Sequence, residues 1–243
     1  YEIEACLVVS EMCIRDRDGM DILDVGGYSS RPGAKEISIN EEIDRVIPVI
    51  KFIRKTYPEL ILSVDTFRSE VARNCLDLGI DIINDISAGC IDKNILDVVA
   101  EYNCPYIMMH MKGTPQTMQI NPEYENLIKE LLIYFAKRIY LAREKGIIDI
   151  IVDPGFGFGK TLDHNYTIMK KIENFKLLDL PILVGISRKS FITKQLDIDK
   201  KDSLNGTTAL NMYFLEKNIN ILRVHDVKEA KECIMLHEKI KSS

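Results

Sequence analysis

No stretch of the chain approaches the roughly 20 consecutive apolar residues of a membrane-spanning helix. Nor is there a basic stripe or Arg-rich segment: 32 Lys and Arg are outnumbered by 37 Asp and Glu, the net charge is −5, and the two signs are interspersed. Membrane and nucleic acid are therefore both excluded as expected partners. Cysteine is scarce and scattered, six residues (Cys6, Cys13, Cys75, Cys90, Cys104 and Cys233) with no C-x-x-C pair. That excludes a dense disulfide framework and implies reduced thiols in a cytoplasmic protein. The opening Tyr1–Arg17 has acidic residues where a signal peptide would be basic, so no targeting segment is expected. No Pro/Gly/Ser-rich linker, low-complexity segment or composition shift interrupts the 243 residues, 46% of them hydrophobic. One large domain, or at most two, with a substantial core is expected.

What is present is a regular alternation. Short runs rich in Ile and Val recur at Ile22–Val25, Ile61–Val64, Ile82–Ile83, Tyr106–Met109, Ile150–Val152, Ile182–Ile186 and Ile221–Val224. Their length and composition predict buried parallel strands. Between them, Glu41–Lys55, Ser69–Leu78, Lys93–Tyr102, Glu123–Lys145, Asn165–Phe175, Ser203–Lys217 and Val227–Lys241 mostly repeat apolar residues at three- and four-residue spacing, as helices covering a sheet do. Strict strand–helix alternation gives either a barrel or an open doubly wound sheet. A barrel is favoured when many strands each deliver polar side chains at their carboxyl ends to one mouth.

That is the pattern here. The runs end in Asp24 and the string to Arg31, in Ser63 and Asp65, Asn84 and Asp85, His110, Asp153, Ser187 to Lys189, and Arg223 with His225 and Asp226. Any one of these alone reads as a turn residue or helix cap. Seven in succession predict a polar ligand pocket, because a buried charge without a partner is costly. The segment Asp153-Pro-Gly-Phe-Gly-Phe-Gly-Lys-Thr161 invites a phosphate-loop reading, which fails because G-x-x-x-x-G-K-[ST] needs glycine at 154, where proline stands. Glycines alternating with Phe156 and Phe158 predict instead a tight turn that faces an aromatic ring to a flat ligand, the alternative being ordinary core aromatics beside turn glycines.

Taken together, D-x-G-G-x-S-[ST]-R-P-G at 24–33, S-V-D-T at 63–66, I-N-D at 83–85, M-H-M-x-G at 109–113, D-P-G-F-G-F-G-K at 153–160, S-R-K-S at 187–190 and R-V-H-D at 223–226 resemble dihydropteroate synthase in order and spacing, over roughly Gly19 to Lys241. The resemblance implies a TIM (β/α)8 barrel and a transferase of folate biosynthesis. That enzyme condenses 6-hydroxymethyl-7,8-dihydropterin pyrophosphate with p-aminobenzoate to give 7,8-dihydropteroate and pyrophosphate, uses Mg2+, is a sulfonamide target, and is a homodimer. By the same resemblance Asp65, Asn84, Asp153, Phe158 and Lys189 contact the pterin, and Ser30, Arg31, Arg223 and His225 hold the pyrophosphate. Ser30, Arg31, Pro32, Phe158, Ser187 and Lys189 frame the p-aminobenzoate, and Asp65, Lys189 and Arg31 are the catalytic groups. Ser30 stands where the family commonly has threonine, in a loop that closes over the site. His110 and Lys112 receive no role. A pterin-binding methyltransferase of the same fold is the alternative enzyme class, opposed by the S-S-R-P-G, S-R-K-S and R-V-H-D strings; a remnant that binds without turnover is another.

The chain departs from the family at its start. The family opens with a strand whose asparagine serves Mg2+ and a loop of the type T-P-D-S-F-S-D-G-G, and neither string occurs, so no metal ligand is identifiable. Glu11-Met-Cys-Ile-Arg-Asp16 is what GAGATGTGTATAAGAGAC encodes, a transposase adaptor of sequencing libraries. Residues 1–17 are therefore expected to be non-native or a remnant, residues 18–243 to form the pterin-binding barrel, and the first strand to be absent or replaced. A barrel with an open strand edge is expected to be unstable and nearly inactive.

Overall fold

The computed structural model describes residues 19–30 and 34–243. The expected non-native segment 1–17 and the expected site residues Arg31 and Pro32 lie outside the described residues. The chain divides into two compact units, one of Ile22–Ile182 and one of Leu183–Ser243 with the described residues before Ile22.

The first unit alternates β1 (Ile22–Val25), α1 (Ile39–Thr56), β2 (Ile61–Asp65), α2 (Ser69–Leu76), β3 (Ile82–Asp85), α3 (Ile95–Tyr102), β4 (Tyr106–Met109), α4 (Leu127–Glu144), β5 (Ile150–Asp153) and α5 (Leu162–Lys170), followed by a 3-10 turn over Ile172–Leu178. The five strands form one parallel sheet in sequence order. Each helix follows from local rules. Ser38 caps α1 by accepting a hydrogen bond from Glu41 N, and Val46, Ile50 and Ile53 form its buried stripe. Burying each such side chain contributes about 1.5–3 kcal/mol. Asn126 caps α4 in the same way, above Leu131, Phe135, Ile139 and Ala142. α5 begins three residues before the sequence pattern indicates, because Thr161 and His164 form a reciprocal capping box in which histidine takes the place usual for Glu or Gln.

The amino ends of the strands are tied by one arginine. Arg54 donates to the carbonyl oxygens of Leu60 and Gly79 and to the carboxylate of Asp81, which also accepts from Leu62 N at 2.8 Å.

The second unit holds β6 (Leu183–Val184), α6 (Ser190–Leu196), a 3-10 turn over Lys200–Asp202, α7 (Leu204–Glu216), β7 (Ile221–Leu222) and α8 (Val227–Lys241). β6 and β7 pair in parallel. Both strands are shorter than the apolar runs that predicted them: the paired residues end at Val184 and Leu222, Arg223 N adding one last bond to Val184 O at 2.9 Å, Ile182 makes only a single bridge to Val152, and α6 is an additional short helix opening at the S-R-K-S string.

Candidate active site

The register of the first sheet decides which side chains share a face. Asp24 pairs with Ser63, Asp65 with Asn84, Asn84 with Ile107, and Met109 with Asp153. Since strand side chains alternate, Asp24, Ser63, Asp65, Asn84 and Asp153 all point to one side. The opposite side carries Leu62, Val64, Ile83, Tyr106, Met108 and Val152, all buried. On the polar side Asn84 Nδ2 donates to Asp24 Oδ2 at 3.1 Å, and Ser63 Oγ is buried without a hydrogen-bond partner. Three of the expected pterin residues, Asp65, Asn84 and Asp153, therefore share a face, and Asp24 and Ser63, which sequence reasoning left unassigned, share it with them. The signal for these two was their even spacing from Asp65 and Asn84 across the ladder, which needs the register to be read.

Asn84 and Asp85 are neighbours in sequence and point to opposite faces. Asp85 is wholly buried and accepts from Ser87 N, Ser87 Oγ, Gly89 N and the Tyr106 hydroxyl at 2.6–2.8 Å. Burial pushes its carboxyl pKa up, and the four donors oppose that rise. A second buried carboxylate, Glu42 of α1, accepts from Thr66 Oγ1 at 2.7 Å and Arg68 NH1 at 2.9 Å, anchoring the residues that follow Asp65.

Beyond β5 the chain turns sharply. Asp153 Oδ1 accepts from Gly155 N at 2.8 Å. Gly155 has φ +72°, and a Cβ there would lie 2.0 Å from the His110 carbonyl oxygen, so only glycine fits. The two phenylalanines of this turn divide the two sequence readings between them. Phe156 is fully buried, an ordinary core ring. Phe158 is partly exposed and packs on an apolar cluster of Phe67, Ile86, Met109, Met111 and Met118, so it is the ring available to a flat ligand.

His110 lies in the same region, ringed by Tyr134 at 4.7 Å and Phe135 at 6.5 Å. Burial first, and the Lys160 charge second, depress its pKa to about 2. The unfolded chain, with a histidine value of about 6.5, binds more protons than the folded one between those limits. His110 thus contributes stability that is present above about pH 6.5 and lost as the pH falls, by up to about 1.4 kcal/mol per unit. Urea unfolding at pH 7 and pH 5.5 checks this: the loss of stability on acidification is expected to be smaller in His110→Asn than in the parent chain.

The second unit collects a separate set of groups. Ser187 Oγ lies 3.0 Å from His225 Nδ1 and accepts from His225 N at 3.2 Å. Arg188, at φ +53°, turns back to make a bidentate pair with Asp226, at 2.8 and 2.6 Å. This pair fixes the Ser187–Lys189 turn to the His225–Asp226 turn, and it raises the arginine's already high pKa. A Cβ on Gly185 would meet Arg223 Cβ at 3.8 Å and Lys189 Nζ at 3.9 Å, so Lys189 and Arg223 flank the same glycine. Ser187, Lys189, Arg223 and His225 are thus brought together. Ser30 lies in the first unit, half-buried. The Arg188–Asp226 pair was missed in the sequence, where both residues stood inside motifs read for their neighbours.

Polar groups at the carboxyl ends of the first unit's parallel strands, beside the partly exposed ring of Phe158, are what an α/β enzyme uses to hold a small polar ligand. The family described as pterin binding enzyme matches residues 4–225, and the chain belongs to it. Dihydropteroate synthases, which are transferases, are its relatives: that of Synechocystis sp. is 44% identical over 213 residues, 86% of this chain and 73% of the relative. That of Escherichia coli K12 is 41% identical over 222 residues, 90% of this chain and 78% of the relative. Among solved structures, Yersinia pestis dihydropteroate synthase with a sulfonamide drug complex has a TM-score of 0.93 at 34% identity, covering 97% of this chain and 86% of that one. The Xanthomonas albilineans enzyme with 4-aminobenzoic acid has a TM-score of 0.92 at 32% identity, covering 98% and 86%. The fold class is the TIM barrel of these enzymes. No helix among the described residues is long and apolar enough to cross a membrane.

Proposed function

We propose that the chain condenses 6-hydroxymethyl-7,8-dihydropterin pyrophosphate with p-aminobenzoate, releasing pyrophosphate and 7,8-dihydropteroate. The observation that carries the reading is the common face of Asp24, Asp65, Asn84 and Asp153 at the strand ends, in a chain 41–44% identical to dihydropteroate synthases. Asp153 accepts hydrogen bonds from the amino-pyrimidinone edge of the pterin, a carboxylate facing adjacent N–H donors. Asn84 and Asp65 complete the polar outline, and Phe158 supplies the apolar wall. Lys189 contacts the pterin and, with Ser187, the p-aminobenzoate; Arg223 and His225 hold the pyrophosphate. Ser30, Arg31 and Pro32 frame the p-aminobenzoate, Ser30 and Arg31 reaching the leaving group as well.

The chemistry needs no protein nucleophile. The C–O bond to pyrophosphate breaks, the methylene cation is shared with the pterin ring, and the arylamine nitrogen captures it and loses a proton. Asp65, as an anion beside the ring, favours the developing positive charge, so catalysis is positioning and electrostatics. Mg2+ binds phosphate oxygens and water with few protein ligands and would neutralise charge on the pyrophosphate. Among the described residues no three His, Cys, Asp or Glu side chains are grouped to hold a metal ion, so no protein ligand is assigned to it. A cytoplasmic homodimer, inhibited by sulfonamides as p-aminobenzoate mimics, completes the reading.

The test is dihydropteroate formation by the purified chain from the two substrates, with and without Mg2+. Metal-dependent product formation is the expected result for a version with a family-type first strand and loop restored, with little or none from the chain as given. In the restored version, tight pterin binding without product would make it a binding protein, and neither binding nor product would remove the assignment.

A further inference from the structure

We propose that Lys160 is a positioning residue for the pterin: its ammonium ties the turn that carries Asp153 and Phe158 to the segment after β4, and so sets how well the ring is held. The inference rests on the pterin reading given above.

Lys160 follows a glycine-rich turn, where a lysine invites assignment to a phosphate. Its surroundings contradict that. The side chain is 3% exposed, and Nζ lies 2.9 Å from Phe158 O, 3.3 Å from His110 O and 3.1 Å from His110 Nδ1. An ammonium has three protons and no lone pair, so Nδ1 must be the acceptor and the imidazole proton sits on Nε2. Three donors meet three acceptors, which is what a buried cation requires. Its charge is thus committed to the protein's own groups, two of them on the segment after β4 and one on the backbone of the residue whose ring faces the ligand.

The rest of the turn is fastened along the same seam. Gln119 Nε2 donates to Gly157 O at 2.6 Å and the Tyr124 hydroxyl to Gly159 O at 2.7 Å. A Cβ on Gly159 would lie 2.9 Å from Lys112 O. Lys160 is the buried, charged tie in this seam. Without the ammonium, Phe158 O and the buried His110 Nδ1 each lose this donor. The turn then has reason to move, and with it Asp153, whose Oδ1 is held by the Gly155 N–H.

Equilibrium binding of 6-hydroxymethyl-7,8-dihydropterin and of its pyrophosphate, each measured on the whole chain and on Lys160→Met alongside a thermal melt, tests this. Both ligands are expected to weaken by the same factor, on the order of tenfold, with the variant still folded. A loss confined to the pyrophosphate form would make Lys160 an anion contact and overturn the proposal. So would unchanged affinity, even with a lowered melting temperature, since that is the mark of a merely structural residue. A second variant, His110→Leu, removes one acceptor and should weaken both ligands equally but less, and the double variant should be no weaker than Lys160→Met alone. Additive losses would separate the two residues and defeat the mechanism. If the unaltered chain binds neither pterin, it is the functional reading that falls; if it binds both and Lys160→Met binds equally well, only this inference does.

Discussion

Asp153→Ala lowers the affinity for the pterin by on the order of a hundredfold or more, the largest binding effect expected of any single change. The carboxylate offers about four lone-pair positions, and Gly155 N takes one of them at 2.8 Å. In the proposed complex others face the donors of the pterin's edge. Removing it leaves those donors unpaired in a region where Asp153 is only 7% exposed, and charge-assisted bonds of this kind contribute about 1.5–3 kcal/mol each. Asp153→Asn sharpens the result. The amide retains an oxygen for Gly155 but presents an NH2 group, a donor, where an acceptor is needed, so it should bind little better than alanine. Titration of the pterin against the parent and both variants checks this; an asparagine variant that binds like the parent would show that charge and acceptor geometry at 153 are not what reads the ring.

Asp85→Ala lowers the stability by about 3–5 kcal/mol, as losing a buried charged centre with its partners does. Its four donors, Ser87 N, Ser87 Oγ, Gly89 N and the Tyr106 hydroxyl, all lie within 2.8 Å and would be left without an acceptor. Tyr106→Phe removes one donor and should cost about 1–2 kcal/mol. Because the chain contains no tryptophan, urea unfolding is best followed by circular dichroism. Equal stability of Asp85→Ala and the parent would mean that the loop after β3 finds other acceptors. The two substitutions also separate binding from folding on two strands of one sheet, β5 and β3: Asp153→Ala, which orphans one backbone donor, should move the unfolding midpoint much less than Asp85→Ala, which orphans four.

The contrast between these residues marks what the sequence could and could not disclose. Apolar runs ending in polar groups were enough to predict the strands of the first unit. Asn84 and Asp85 are equally polar and adjacent, and only the ladder register says that one faces the side of Asp65 and Asp153 and the other the opposite side. Likewise Arg188 and Lys189 are two cations in a row. The left-handed backbone at Arg188 returns it to Asp226, a residue 38 positions away, and no local pattern announces such a pairing. Lys160 misleads in the other direction, since a lysine after glycines suggests a phosphate and its partners are a carbonyl of its own turn and the carbonyl and imidazole of His110 on another loop. The short helix α6 and the early start of α5 were missed for a smaller reason: one has only about two turns of pattern, and the other is capped by a histidine.

Arg54 and Asp81 fasten β2 and β3 at their amino ends, while every group assigned to the ligand in the first unit lies at or beyond the carboxyl ends. Folding and chemistry are thus drawn from different residues of the same strands. Changes that stiffen the amino-end seam, or that rebuild it with other side chains, are free to accumulate without moving Asp153 or Asn84, and at the other end the side chains outside the Asp85 and Glu42 anchors are free to vary in ligand preference without loosening the sheet. A chain so divided can gain heat resistance and drift in specificity as two separate histories.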